Sequence, residues 1–404
     1  MRLLHTADWH MNDRLGRVDR TIDILHSLER IRDYLEEYRV DVLIVAGDLF
    51  SGRDTQEQLR EAVGSLKELF VPFLQRGGTM LAISGNHDNS AFCGSLRDAL
   101  ELAAPGRTGA NGTDATGRLY VAPRPQLIKL ADPLGNVVQF VLMPYPKASD
   151  YVRGEAMNYR SLAEKNSAIQ HNFAEVLQTL RSRVDPKLPS VLVSHIHVRG
   201  VQVNSLFRLS EAEDILFEPT DIPAEWAYVA YGHIHKPQPA VIGAEHIRYS
   251  GSVQRMDAAE ADDQKSVVLV DIGPSGRQSA PQLLPLECVP IYKVGIDDPD
   301  SQLSKLANTY ANATEALVDY TLYWQPGKHN RDDLCRQIEA IFPRWYSRDF
   351  VEIGRDASRA KNFSPNRLQD VAGTVRDYLN KRLEKHPERQ ELTALAEKLL
   401  AEGD

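Results

Sequence analysis

The chain has 404 residues, 42% of them hydrophobic and 25% charged; these fractions are ordinary for a globular protein, and the length exceeds what one core usually occupies. No uninterrupted apolar run approaches the roughly 20 residues that span a bilayer, and no charged segment leads into an apolar one at the start, so neither secretion nor membrane insertion is expected and a cytoplasmic setting is. Lys and Arg number 47 against 56 Asp and Glu, a formal net charge of −9, which argues against binding nucleic acid by overall charge and requires any basic surface to be local or supplied by a partner.

In chain order, the first apolar run, Leu3-Leu4, leads into Asp8-Trp9-His10. Arg14, Arg17 and Arg20 follow, either flanking a cleft or forming a solvated surface. Arg20 to Tyr38 carries Ile24, Leu28, Ile31 and Leu35 at helical spacing, which predicts a crossover helix to the next strand. That strand, Val42 to Ala46, ends at Gly47-Asp48; a third, Met80 to Ile83, ends at Gly85-Asn86-His87-Asp88. Gly106 to Gly117 holds four glycines and no sizeable apolar side chain, and reads as a surface loop. Val191-Leu192-Val193 leads to Ser194-His195, and Tyr228-Val229-Ala230 to Gly232-His233-Ile234-His235. Past residue 285 such motifs cease; Cys288 to Ile353 reads as a small α/β unit with strands near Val289 to Val294 and Tyr320 to Tyr323. Arg355 to Phe363 is a polar linker, and two amphipathic helices follow, one lined by Leu368, Val371, Val375 and Leu383, the other by Leu392, Leu395 and Leu399.

Each of the five polar motifs ends a run that reads as a buried parallel strand, so all five are expected on one edge of a single sheet. Gly47, Gly85 and Gly232 each stand directly before a proposed donor, where a residue without Cβ permits a tight turn and close backbone approach. Together the motifs hold oxygen and nitrogen donors enough for two metal ions. Carboxylate, carboxamide and imidazole without cysteine suit manganese, iron(II), zinc or cobalt, with manganese the first choice, and disfavour a thiolate zinc site. A lone D-x-H or G-D arises often by chance; five motifs in this order carry the reading. Cys93, Cys288 and Cys335 lie in none of them and read as reduced thiols. His197, two residues past His195, would point the same way along a strand and is the alternative donor. His5, within a strand, reads as a hydrogen-bonded packing residue, and His26, His171, His246, His329 and His386 lack ligand spacing.

The order D-x-H, G-D, G-N-H-D, H, G-H-x-H resembles that of the calcineurin-like metallophosphoesterases. His5 to His10, Val45 to Phe50, Tyr228 to His235 and Tyr249-Ser250-Gly251-Ser252 resemble its SbcD-type nuclease branch, which includes archaeal and eukaryotic double-strand-break repair relatives. The resemblance is strong as far as about residue 270 and persists only in layout beyond. Where relatives have an aromatic and a glutamate before a lysine-glycine pair, this chain reads Arg255-Met256-Asp257-Ala258-Ala259-Glu260 and then Lys265-Ser266; Ser51 replaces an aspartate.

The resemblance implies an α/β sandwich of sheets flanked by helices over residues 1–285, a small α/β capping domain over 286–354, and a linker with C-terminal helices over 355–404. One metal would be held by Asp8, His10, Asp48 and His235 and the second by Asp48, Asn86, His195 and His233, with Asp48 bridging ions about 3.5 to 4 Å apart. This family pattern places the ligand at His195, leaving His197 to line the cleft. His87 would transfer a proton or stabilise transition-state charge, oriented by Asp88. The activity implied is a manganese-dependent 3′–5′ DNA exonuclease and single-strand endonuclease using a two-metal-activated hydroxide. It would work on double-strand breaks or hairpins with an SMC-like coiled-coil ATPase of SbcC type, gripped by the C-terminal helices, and a homodimer is compatible with it. Two rivals are a phosphoesterase for nucleotides or small phosphodiesters without an ATPase partner, and a mainly architectural protein.

Overall fold

The computed structural model describes residues 1–104, 112–147, 151, 159, 161–203, 215–221, 225–353 and 392. Part of the glycine-rich loop and, apart from Leu392, the linker and C-terminal helices expected after residue 354 lie outside these residues.

Two sheets stack face to face. In the first, β1 (Arg2–Thr6), β4 (Val42–Ala46), β5 (Thr79–Ile83) and β6 (Leu119–Ala122) run parallel, while β15 (Ser266–Gly273) pairs antiparallel with β1 and carries β16 (Gly276–Arg277) and β17 (Gln282–Pro285). In the second, β8 (Val137–Met143), β9 (Ser190–His195), β12 (Tyr228–Gly232) and β14 (Ile247–Tyr249) run parallel, edged by antiparallel β7 (Gln126–Ala131) and β13 (Gln238–Pro239). The strand alternation of two explains the layering. Leu3, Ile44 and Leu81 point inward onto Val191, Val193 and Tyr228. Leu4, Leu43 and Val45 point outward onto α1 (Thr21–Glu37) and α2 (Gln56–Gln75), and Leu192, Val229 and Tyr231 onto the helix after β8, α4 (Leu162–Arg181). α1 buries Ile24, Leu28, Ile31 and Leu35, the stripe read from the sequence. α3 (Ser90–Ala103), capped by the Asn89 side chain, follows the G-N-H-D turn.

This corrects the expectation of a single sheet. The first three motifs end β1, β4 and β5 of one sheet, and the last two end β9 and β12 of the other. The reason is that strands buried on both faces look alike whether a helix or a second sheet covers them.

Beyond β17, β18 (Ile291–Ile296), β19 (Leu317–Trp324) and β20 (Trp345–Glu352) form a parallel three-stranded sheet, covered on one face by α5 (Pro299–Thr309) and α6 (Arg331–Ile341). Its other face meets the hairpin of β2 (Arg14–Leu15) and β3 (Val18–Asp19), where Leu15 and Val18 pack on Ile291, Leu317 and Tyr346. Arg344 donates to Asp23 at 2.7 Å across the same junction.

Candidate metal centre

The segment after β1 and the segment after β4 run side by side: the amides of Asp8, His10 and Met11 donate to the carbonyls of Gly47, Asp48 and Leu49 at 3.0, 3.0 and 2.9 Å. From the second sheet β9 and β12 press against β4 so closely that side chains do not fit. A Cβ on Gly232 would stand 2.0 Å from the Ala46 oxygen, and one on Gly47, where φ is +95°, 2.2 Å from His195 Nδ1. At Gly85 it would lie 2.0 Å from Asp48 Oδ1. These glycines therefore bring the five strand ends together.

The side chains that converge are mostly acceptors facing acceptors. One atom each from Asp8, Asp48 and His195 lies within 4.8 Å of the others, as do atoms of Asp8, His10 and His235, and of His10, Asp48 and His87. His10 Nε2 is 3.2 Å from His235 Nε2, and Asn86 Oδ1 is 2.9 Å from His195 Nε2 and 3.0 Å from His233 Nδ1. A carbonyl only accepts, so the 2.7 Å contact of His195 Nδ1 with the Ala46 oxygen puts a proton on Nδ1 and turns Nε2 toward Asp48 Oδ2 at 3.3 Å. Asp8 and Asp48 are 0% and 1% exposed, and isolated carboxylates are not buried without a compensating cation. Protons answer part of this demand: burial opposes charge on His195, yet the Asp48 carboxylate raises it to about 9. Burial holds His10 down at about 3 and pushes Asp8 up. Hard and borderline donors, buried, converging and short of positive charge, fit divalent cations.

The structure brings Asp8, His10, Asp48, Asn86, His195, His233 and His235 into this cluster. His87 stands at its edge, its ring 4.9 Å from that of His10 and half-exposed on a cleft of about 650 Å³. Asp88, expected to orient the His87 ring, acts on the backbone that carries it: its two oxygens accept from Phe50 N at 3.0 Å and Gly85 N at 2.7 Å, and burial followed by Asp48 raises it to about 6. His197 lies beside the cluster, its ring 6.1 Å from that of His233. His5 packs within the sheet, its Nδ1 2.8 Å from the Tyr228 hydroxyl.

The three arginines divide. Arg14 lines the cleft, but Arg17 lies over the Trp345 ring at 4.6 Å, and Arg20 is fully buried against Asp23, Gln254 and the Arg255 carbonyl. Only Arg14 of the three faces a substrate. Two residues that no motif marks also reach the centre: Tyr145, whose ring lies 5.7 Å from that of His233, and Glu260, whose carboxylate lies 2.8 Å from His235 Nδ1. Arg53 and Lys236 complete the basic side of the cleft.

Among known proteins, the chain resembles the D subunit of the SbcCD nuclease of Bacillus subtilis, 28% identical over 310 residues that cover 72% of each chain. It resembles the protein of that name in Staphylococcus epidermidis at 26% identity, over 67% of this chain and 66% of that one, and in Escherichia coli K12 at 27%, over 67% and 64%. The alignments thus span about two thirds of these relatives' own lengths. A dimetal phosphatase from Danio rerio matches at 12% identity and a TM-score of 0.39, over 71% of this chain and 99% of that one. The calcineurin-like phosphoesterase model matches residues 1–237, which contain every proposed ligand. The chain belongs to the calcineurin-like phosphoesterase family.

Proposed function

We propose that the chain is a manganese-dependent DNA nuclease, with exonuclease and endonuclease activity, that works in the cytoplasm with a coiled-coil ATPase of SbcC type. The observation that carries this reading is the convergence of seven oxygen and nitrogen donors from two sheets on one point at the floor of an open cleft. The name these relatives share, as parts of the SbcCD nuclease, supplies the substrate class and the partner. Residues 355–404 would dock that partner, and the unit built on β18 to β20 would cap the cleft.

Asp8, His10, Asp48 and His235 would hold one ion and Asp48, Asn86, His195 and His233 the other. Bound there, two divalent ions polarise a phosphodiester and lower the pKa of water toward about 7. The chain's own residues do the rest. Arg14, Arg53 and Lys236 hold flanking phosphates as charged donors at the cleft wall. His87, on the open side of the cluster, gives a proton to the departing oxygen. Asp88, through the amides of Gly85 and Phe50, keeps the turn that presents His87 in place.

Hydrolysis of a small phosphodiester is the second reading, and the internal use of Arg17 and Arg20 favours it, since a long duplex needs more basic surface than Arg14, Arg53 and Lys236 provide. Cleavage of labelled linear duplex and hairpin DNA in manganese, with and without the ATPase, separates the two. Asp48→Ala is expected to abolish cleavage, and His87→Ala to slow it about 10²–10⁴-fold while bound metal stays. Hydrolysis of a small phosphodiester that Asp48→Ala removes, with DNA untouched under every condition, would replace the nuclease by the second reading.

A further inference from the structure

Lys265 and Glu260 are 2% and 1% exposed, and a buried ion pair is costly unless every donor and acceptor is used. Here they are used, and each path ends on one residue. Glu260 Oε1 lies 2.8 Å from His235 Nδ1, and Oε2 accepts from Lys265 Nζ at 2.7 Å and from Met256 N at 3.0 Å. Lys265 Nζ also donates to the backbone oxygen of His235 at 2.8 Å, so the ring and the main chain of this histidine are held together. Glu260 itself is fixed at the end of a short 3-10 turn, Ala258–Glu260, capped by the Asp257 side chain.

Three consequences follow from the chemistry. A carboxylate only accepts, so His235 carries its proton on Nδ1 and presents Nε2 to the cluster, where it faces His10 Nε2 at 3.2 Å. Lys265 cancels the charge of Glu260, so the device adds direction to the histidine without adding net charge to the cluster. Lys265 also directly precedes β15, which pairs with β1, the strand leading to Asp8. His235 comes from the second sheet and Asp8 from the first, and Lys265 sets one against the other. His195 has no such support, since its Nδ1 meets only the neutral carbonyl of Ala46.

We infer that Glu260, held by Lys265, is a positioning residue that fixes His235 as a ligand of one of the two metal ions, the one shared with Asp8 and His10. The inference rests on the two-ion reading above. It assigns to the pair a selective effect on one site, which a merely structural role would not have.

The test uses the full chain, stripped of metal and titrated with manganese chloride, read by calorimetry and by electron paramagnetic resonance. The native chain is expected to bind two ions that give an exchange-coupled signal. Glu260→Gln is expected to weaken one of them by about 10–100-fold and leave the other unchanged, so that an isolated-ion signal replaces the coupled one at the same loading. Glu260→Asp shortens the reach by about 1.5 Å while keeping the charge, which removes the bond to His235, and the same selective loss is expected. It decides the matter should the glutamine variant not fold. Unchanged binding, or equal weakening of both ions, overturns the inference alone. A native chain that binds fewer than two ions overturns the two-ion reading and this inference with it.

Discussion

Gly47→Ala isolates the closeness of the two sheets. The added Cβ would lie 2.2 Å from His195 Nδ1 and 2.7 Å from its Cγ, and Gly47 has φ +95°. Ordinary contact begins at 3.4 Å, so the imidazole must retreat by 3.4 − 2.2 = 1.2 Å. That breaks the 2.7 Å bond between His195 Nδ1 and Ala46, worth about 0.5–1.5 kcal/mol, and the left-handed backbone adds about 1–2 kcal/mol of strain. A misplacement of about 1 Å at a reacting centre costs on the order of 100-fold in rate. Gly77 provides the control, with φ +98° but open space around its Cβ position. Both variants should lower the thermal midpoint through strain, while only Gly47→Ala loses manganese binding and about 100-fold or more of phosphodiesterase activity. Gly47→Ala with native activity and native metal binding would refute the claim that the two sheets converge on the centre through this glycine.

Chelation should lower the thermal midpoint, because cations bind the folded donor cluster and not the unfolded chain; manganese at 100 times its dissociation constant restores about 2.7 kcal/mol per site. Asp48→Ala should abolish that shift, and a native chain indifferent to chelator would count against a metal centre. Cys93 should resist thiol reagents at pH 8 until the chain unfolds, since it is 2% exposed and burial pushes its thiol well up; rapid native labelling of Cys93 would contradict this packing.

The strands and the crossover helix are legible in the sequence because their signals are local: apolar runs bounded by Gly-Asp or Gly-Asn-His-Asp, and a stripe at Ile24, Leu28, Ile31 and Leu35. Sheet membership is not, because nothing in Val191-Leu192-Val193 distinguishes a strand covered by a helix from one covered by another sheet. Arg20 is opaque for a similar reason. Its i,i+3 relation to Asp23 is visible, but the acceptors that bury it, Gln254 and the Arg255 carbonyl, lie more than 230 residues away. Glu260 and Lys265 stand in the stretch that departs from the family pattern. Nothing there singles them out, because a 3-10 turn has no periodicity to mark a buried side. In the last unit, β19 follows from its apolar alternation, while β20, with the pattern Trp345 to Glu352 largely open to solvent, has no buried face to announce it.

The backbone at the centre is strained where the donors are. Asp8, His10, Asp48 and His233 have φ of 51°, 45°, 51° and 94°, a left-handed region that costs a non-glycine residue about 1–2 kcal/mol. Extended strands would carry successive side chains to opposite faces; the left-handed turns instead end the strands abruptly and aim the donors at one another. The strain is held mutually. His233 N donates to both Asp8 oxygens at 3.0 and 3.2 Å, Asp48 Oδ1 accepts from His87 N at 2.9 Å, and His10 N donates to the Asp48 carbonyl. Asp8 comes from the first sheet and His233 from the second, so each sheet's strained residue is tied to the other. A donor removed from one sheet therefore loosens the backbone of its counterpart, and the centre behaves as one unit although its parts are more than 200 residues apart in sequence.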